Sequence, residues 1–489
     1  VFASLFATHG RGLGLVVSLL LGLGLLTQPV SASAKPLLLQ EVLTSVQGQY
    51  PPFLAAMIEQ DIANGRARQA MGAFDLHLNA GGAFKPAGYY DGQTGYAMLD
   101  QPLPFWGGNV YGGYRLSSGY LPNYNKDRTS TDGEAVLGFR LPLLKDSSID
   151  RRRVAAWQAQ IDQELADPLI LRQYLDFMRA ATVSYYTWVA AGQRLQLTEE
   201  LLRIAKDRDS AIAEQVKRGA SAPIVQLDNQ RLVVSREIAV VQAARRFQAA
   251  AIELSLFHRA QESAEPMITP RSRIPKAFPP HPRPDETGMV SDIARASIFR
   301  PEIRRIELTI QKYELDLRLA KNNLLPTLDI GVEAAQASGG TRPKDIERTE
   351  IEAKIEFKLP LQRREAKGRI EVAQALIGRL ANDKAFARDR IVADVRDSHS
   401  AIVAAHDALK QTRRNVELSQ QLEAAENERF KQGATDLLAL QIREQATFDA
   451  QVLEVEAQAE YFRAQANYRA AIAADAPSSL ARAGAPEKR

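Results

Sequence analysis

The sequence predicts a mainly α-helical chain with a smaller β contribution, built as two colinear repeats of two strands followed by two long coiled-coil helices. Three observations carry this. Between Ile351 and Leu359 the apolar residues Ile351, Ala353, Ile355, Phe357 and Leu359 alternate with Glu352, Lys354, Glu356 and Lys358, the two-residue period of a strand with one apolar and one charged face. Beyond Pro360 no proline occurs from Leu361 to Thr447, and only Gly368, Gly378 and Gly433 weaken a run of helix formers. A helix from about Arg369 to Lys431 would extend roughly 90 to 100 Å at ~1.5 Å per residue, too long for a compact globular domain. The halves also repeat one another. Leu141-Pro142-Leu143 corresponds to Leu359-Pro360-Leu361, Arg153-Val154 to Arg369-Ile370, and Lys217-Arg218-Gly219-Ala220-Ser221 to Lys431-Gln432-Gly433-Ala434-Thr435, at offsets of 218, 216 and 214 residues. A shift this steady makes the halves colinear.

Composition narrows the function. The 489 residues are 45% hydrophobic and 25% charged, enough for a large structure of two or three domains. A net charge of +4 is mild for this length and gives no reason to expect nucleic acid or another polyanion as partner. The absence of cysteine removes Cys-based metal, redox, nucleophile and lipid-anchor chemistry. The six histidines are scattered, and His399 and His406, seven apart on one helix, read as a polar stripe rather than a metal site. No phosphate loop, nucleophile constellation or ligand cluster occurs, so the expectation is a non-enzyme without cofactor or metal.

Taken in order, residues 1–34 read as a secretory leader: an apolar run from Leu13 to Leu26, then Ala32-Ser33-Ala34 before Lys35. No later run is long enough for a spanning helix, so a membrane location would have to use strands. The first repeat, 35–258, begins with two short helices separated by Pro51 and Pro52, then a strand at about 73–84 with Phe74, Leu76, Leu78 and Ala80 on one face. Residues 85–133 are rich in Gly, Tyr, Asn and Pro and read either as the rim of a barrel or as a long irregular surface loop. A second strand at about 134–142 follows, then long helices at about 150–217, kinked at Pro168, and 224–258. In the latter Val233, Val240, Phe247 and Leu254 recur every seven residues, with Ala244 and Ala251 between them, the pattern of a coiled-coil seam. Seven prolines between Pro266 and Pro284 make 259–300 a linker or equatorial segment. The second repeat, 301–475, holds a helix at about 301–324 with a 3-4 stripe (Ile303, Ile306, Ile310, Tyr313, Leu317, Ala320, Leu324), strands at about 327–336 and 350–359 separated by a polar loop, and long helices at about 367–431 and 437–473. The tail, 476–489, reads as unordered.

Four such strands have roughly the length that crosses an outer membrane when tilted. Four cannot close a barrel, since about eight is the smallest number known, and an open edge in lipid leaves backbone groups unpaired. The chain therefore oligomerises, or its strands are not in a membrane.

The duplicated halves, the Leu324-Leu325-Pro326-Thr327-Leu328 lead-in to the third strand, the Leu-Pro-Leu exits and the Phe430-Lys431-Gln432-Gly433-Ala434-Thr435-Asp436-Leu437-Leu438 turn together resemble the TolC family of outer-membrane efflux channels over nearly all of the chain after residue 34. The resemblance implies a homotrimer with a 12-stranded β-barrel in the outer membrane and a 12-helix periplasmic tunnel. It further implies a passive exit duct of a tripartite efflux or type I secretion system, served by an inner-membrane pump through a periplasmic membrane-fusion adaptor. The alternative is a periplasmic coiled-coil adaptor or scaffold without a barrel; a surface adhesin with coiled-coil stalks fits the duplication less well.

By the same resemblance Gly219, Ala220 and Ser221, and Gly433, Ala434 and Thr435, are adaptor-docking tip turns, whereas by themselves such glycines simply close helices. Family members often carry an acidic ring just after the second turn. Here the positions six and nine past Gly433 are Ala439 and Ile442, so the pattern departs, and Asp436 or Asp228 would have to form the constriction. Both also read as carboxylates stabilising a helix N-terminus. Basic clusters follow both Leu-Pro-Leu exits, with Arg151, Arg152 and Arg153 in one half and Arg363 and Arg364 in the other. Positive charge opposes the dipole at a helix start, which makes these five candidates for contact with anionic headgroups of outer-membrane lipid.

Overall fold

The computed structural model describes residues 35–122, 128–285, 287–339 and 348–477. The expected leader, nearly all of the expected tail and much of the loop before residue 349 lie outside the described residues. Two short helices, α1 (Leu39–Gln49) and α2 (Pro51–Met71), open the chain. Pro51 starts α2 at its first position, where a missing N–H costs nothing because that donor has no helical partner.

Next comes the sheet. Strands β1 (His77–Lys85), β2 (Gly92–Pro102), β3 (Asn109–Gly119), β4 (Glu134–Pro142), β5 (Thr327–Ala337) and β6 (Thr349–Lys358) form one six-stranded sheet in chain order, every neighbour antiparallel. This corrects the expectation of four strands. The stretch 85–133 is not a loop: it holds all of β2 and β3, so the first half supplies four strands and the second two. The halves are colinear in their helices and unequal in their strands.

Strand β4 leads into α3 (Arg151–Lys217), and β6 leads into α7 (Arg364–Lys431). With 67 and 68 residues, each is roughly 100 Å long at ~1.5 Å per residue. The Asp150 side chain caps α3, accepting from the backbone N–H groups of Arg152 at 2.7 Å and Arg153 at 3.1 Å. The helix continues through Pro168. The returning helices α4 (Pro223–Ser255) and α8 (Leu437–Ala471) are about half as long, so each hairpin comes back only to mid-height.

The core sits at that level. Trp188, Tyr185 and Tyr186 of α3, Leu254 of α4, Tyr461 and Phe462 of α8 and Val42 and Val46 of α1 are buried together. The Tyr186 and Phe462 rings stack at 4.2 Å with 8° between their planes. The proline-rich stretch is built into this core rather than strung outside it. Ile274 and Phe278 are buried there, the Arg273 carbonyl accepts from Leu37 N–H at 2.8 Å, and the Pro282 carbonyl accepts from the Tyr461 hydroxyl at 2.6 Å. The segment 259–300 also contains a helix that the sequence did not suggest, α5 (Met289–Phe299). Of the two readings, linker or equatorial segment, the packing corrects the first: the Pro282 carbonyl serves α8 and the Arg273 carbonyl serves Leu37 just before α1. From here α6 (Pro301–Asn322) runs back towards the sheet between α3 and α7, tied by Lys312–Asp162 at 2.6 Å and Lys384–Glu307 at 2.8 Å. No described helix is long and apolar enough to cross a membrane.

Candidate functional site

The sheet is inverted relative to a water-soluble one. Along β4, Glu134, Val136 and Gly138 are buried while Leu137 is 64% and Phe139 40% exposed. The same phase holds across all six strands. Leu78 pairs with Leu99, Val110 with Phe139, Phe139 with Val332, Ile330 with Ile355 and Ala334 with Ile351, all on one apolar face. The other face carries a hydrogen-bonded network. Asn109 donates to Asp100 at 3.0 Å, the Tyr111 hydroxyl to Glu333 at 2.9 Å, Arg115 pairs with Glu134 at 2.6 Å and with Glu333 at 3.3 Å, and Arg140 pairs with Asp329 at 2.7 Å. Charges that satisfy one another on one side and bare aliphatic side chains on the other suit a wall with water within and hydrocarbon without.

At the far end of the helices the two turns are copies of one motif. Gly219 and Gly433 both have φ +73°, a conformation that costs residues with a Cβ. After α3, Gly219 N–H donates to the Val216 carbonyl at 3.0 Å and Ala220 N–H to Gln215 at 2.8 Å; after α7, Gly433 N–H donates to Phe430 at 3.0 Å and Ala434 N–H to Arg429 at 2.9 Å. This pair of bonds satisfies the last helical carbonyls. A Cβ at either glycine would meet nothing, so backbone angle alone demands glycine. Just past the turns, between the starts of α4 and α8, lies an open, mostly apolar hollow of about 720 Å³ lined by Ile224, Leu227, Val234, Leu437 and Leu438. Asp228 and Asp436 both line it, so the structure brings these two predicted residues together. Each carboxylate has a local role as well. Asp436 caps α8 by accepting from Ala439 N–H at 2.8 Å, and Asp228 pairs with Arg231 at 3.4 Å.

Behind this hollow is a buried polar layer. Glu444 of α8 receives both Arg208 of α3, one bond at 3.0 Å, and Arg236 of α4 at 3.6 Å. Burial pushes the Arg236 guanidinium down from its ordinary pKa and Arg208 beside it adds to this, while Glu444 opposes both. Arg236 also donates to the Leu201 carbonyl at 2.8 Å, and Asn229 donates to Ala205 at 3.3 Å and Asp209 at 3.1 Å. None of these residues stood out in sequence. Their signal was spacing: Asn229, Arg236, Ala243 and Ala250 alternate with Val233, Val240, Phe247 and Leu254 at steps of four and three, and this is the seam. Ala244, expected within it, is exposed.

The basic residues at the helix starts separate. Arg153, expected at a headgroup surface, is buried and consumed by its own turn: it donates to Asp150 at 2.7 Å and to the carbonyls of Asp146, Ser147 and Ser148 at 2.7, 2.9 and 3.1 Å. Arg152 donates to the Gly107 carbonyl at 3.1 Å and lies over the Phe74 ring. Arg151 and Arg364 are exposed, and Arg363 is partly buried at the left-handed N-cap of α7, φ +51°.

No protein-family model matches the sequence, and no curated protein does. Solved structures do match. The chain is similar to the outer-membrane protein VceC of Vibrio cholerae (15% identity, TM-score 0.63, covering 89% of this chain and 95% of that one). It is also similar to the open state of the MtrE outer-membrane channel of Neisseria gonorrhoeae (14%, 0.64, 89% and 88%) and to the CmeC outer-membrane channel of Campylobacter jejuni (11%, 0.63, 92% and 87%). The chain therefore has the fold of these channels, long helical hairpins joined to a β-sheet, as the resemblance to the TolC family implied.

Proposed function

We propose that this protein is the passive outer-membrane exit duct of a tripartite efflux or type I secretion system. Three copies assemble around an axis. Their sheets close a barrel in the outer membrane, and their helices form a tunnel that crosses the periplasm to an adaptor and an inner-membrane pump. The observation that carries this is the inverted sheet joined to helices of about 100 Å: apolar side chains point outward, where a soluble domain would place its charges. A single adaptor hairpin on soluble β domains accounts for neither the inverted sheet nor the second helical hairpin.

On this reading Gly219, Ala220 and Ser221 with Gly433, Ala434 and Thr435 present the tip to the adaptor, supported by the exposed apolar hollow that opens beside them between the starts of α4 and α8. Asp228 and Asp436, which share that hollow, narrow the tunnel mouth. Arg151, Arg152, Arg363 and Arg364 lie at the sheet end of the long helices and meet lipid phosphates at the inner leaflet. Catalysis has no part in transport of this kind, since selectivity follows from the charge and width of the passage.

The test is direct. Extracted in detergent and imaged by electron microscopy, the protein gives a three-fold hollow particle with a stalk on the order of 100 Å, and in planar bilayers it conducts ions. A compact monomer that needs no detergent overturns the reading.

A further inference from the structure

The six-stranded sheet raises a question that the duct reading leaves open: which strands line the barrel. We propose that all six do, so that β6 of one copy pairs with β1 of the next and three copies close a wall of 18 strands instead of the 12 that the family resemblance implies. This rests on the trimeric duct reading and deepens it.

Four observations carry the inference. First, the two extra strands are joined to the sheet by full-length ladders: β2 pairs with β3 from Gly92–Gly119 to Pro102–Asn109, and β1 with β2 from His77–Asp100 to Lys85–Gly92. Second, the extra strands keep the phase of the wall. Leu78, Ala80 and Phe84 of β1, Ala97 and Leu99 of β2 and Tyr114 and Leu116 of β3 continue the exposed apolar face, whereas Asp100 and Asn109 continue the polar network. The polar face also accommodates close neighbours by glycine: the Tyr96 ring covers Gly81 and the Tyr111 ring covers Gly138, where a Cβ would fall 2.8 and 2.5 Å from the ring. Such glycine–aromatic pairs let strands bend into a closed wall.

Third, the hairpins carry aromatic residues at both ends. Tyr89, Tyr90 and Tyr120 cluster beyond β1 and β3, with ring centroids 4.9 to 6.0 Å apart. Phe105 and Trp106, exposed and in edge contact at 5.3 Å, occupy the turn between β2 and β3 at the opposite end. The 11 residues of β2 that separate these groups rise roughly 25 to 30 Å at about 3.3 Å per residue and a tilt of about 40°, the height of an apolar band between aromatic girdles. Fourth, the two edges match. β1 and β6 run in opposite directions, because each of the five pairings between them is antiparallel. Every residue of β1 is exposed, and on β6 Ile351, Ile355 and Phe357 are 72, 76 and 63% exposed. A rotation that brings β1 of a second copy beside β6 therefore creates another antiparallel pair and closes into a ring.

A 12-strand wall would need β3 to leave β2 and pair with the neighbour's β6. The β1–β2 hairpin would then carry two unpaired edges in or beside lipid, where each unpaired group costs several kcal/mol. The consequence of the larger count is width. Strands about 4.8 Å apart and tilted by about 40° each take roughly 6 Å of circumference, so 18 strands give a backbone diameter of roughly 36 Å and 12 strands roughly 24 Å.

The absence of cysteine makes the seam testable by disulfides in the full-length protein in its own membrane. One series pairs Leu78→Cys, Ala80→Cys or Gly82→Cys with Ile351→Cys, Ala353→Cys or Ile355→Cys, all on the apolar face. A second series replaces the β1 partners by Gly112→Cys, Tyr114→Cys or Leu116→Cys of β3. Mass measurement in detergent checks assembly of every variant, and only assembled variants are scored. The proposal expects reducible, covalent three-copy species from the β1 series and none from the β3 series. Cross-linked trimers from the β3 series alone, or three-copy particles in which neither series links, overturn the 18-strand wall and leave the duct standing. An unsubstituted protein that is not trimeric sinks both.

Discussion

Glu444 is the residue on which the tip end of the bundle turns energetically, because its carboxylate answers two guanidiniums that are themselves 5 and 14% exposed. Removing one partner of a buried charge set leaves the others unpaired, at a cost of roughly 3 to 5 kcal/mol. Glu444→Gln should therefore lower the apparent melting temperature sharply, and Glu444→Met combined with Arg236→Met should recover most of the loss; equal melting of the two variants would show the layer to be dispensable. A second residue gives a pH dependence. His281 donates to or accepts from nothing that favours its charged form: its ring lies against Tyr461 and Phe462, and Arg413 is 3.1 Å from Nδ1. Burial first, then Arg413 and His406, lower its pKa to about 4. The unfolded chain takes up this proton near the ordinary value of about 6.5. Between pH 4 and 6.5 the unfolded state thus binds more protons, and stability is present above this window and lost as pH falls through it. Melting recorded from pH 7 to 4.5 should fall by a few degrees more in the native chain than in His281→Gln; parallel curves would exclude this ring. Sequence reading missed Arg236 and Asn229 for a physical reason. Their heptad spacing was visible, but polar side chains at a seam are recognised only when their partners, here Leu201, Ala205 and Asp209 on another helix, are known.

At the level of elements, helices were more legible than strands. The long helix α7 declared itself by proline-free length, α3 by a run of helix formers with Pro168 as its one proline, and both tip turns by their glycines. Strands β2 and β3 did not, because alternation is blurred on both phases. In β2 one phase reads Gln93, Gly95, Ala97, Leu99, Gln101 and the other includes Tyr96 and Met98; in β3, Gly112 and Gly113 fall on opposite faces. A water-facing wall tolerates Tyr and Met, and a lipid face tolerates Gly and Ala, so the period-two signal nearly vanishes. Helix α5 escaped notice because the prolines before it dominated the window. Two predictions belong here. Gly219→Ala and Gly433→Ala each strain a left-handed backbone by roughly 1 to 2 kcal/mol, with no steric penalty, so equal and additive losses in thermal stability are expected; a larger loss at one turn would reveal a tertiary contact there. Asp436→Asn keeps an acceptor for the cap of α8, whereas Asp436→Ala removes it at a cost of about 1 kcal/mol. If Asp436 also narrows the tunnel, Asp436→Asn changes ion selectivity in bilayers at unchanged melting temperature. Unchanged selectivity reduces it to a cap.

The whole molecule leaves apolar surface bare along its length. Beyond the hollow, Ile238 and Val241 of α4 are 55 and 70% exposed, and Phe386 of α7 is 66% exposed. A stripe of this extent needs cover, and in the proposed trimer neighbouring copies supply it. Val241→Glu is expected to abolish three-copy particles in detergent while leaving each chain helical by circular dichroism; trimers of normal mass would place that face elsewhere. The duplication was legible at this scale because colinear offsets survive when individual motifs do not, while the unequal strand number was hidden within one half. The strand order has a further consequence for biogenesis. β4 meets β5 only after the chain has travelled from Pro142 to Thr327, through the entire first helical hairpin and the mid-height core. The four early strands can therefore pair with one another while the second edge of β4 stays open, and the sheet is completed only when the C-terminal half arrives. Such long-range pairing is slow and prone to aggregation, so on the proposed duct reading the chain is most exposed to misassembly until residue 358, the end of β6, has joined the sheet.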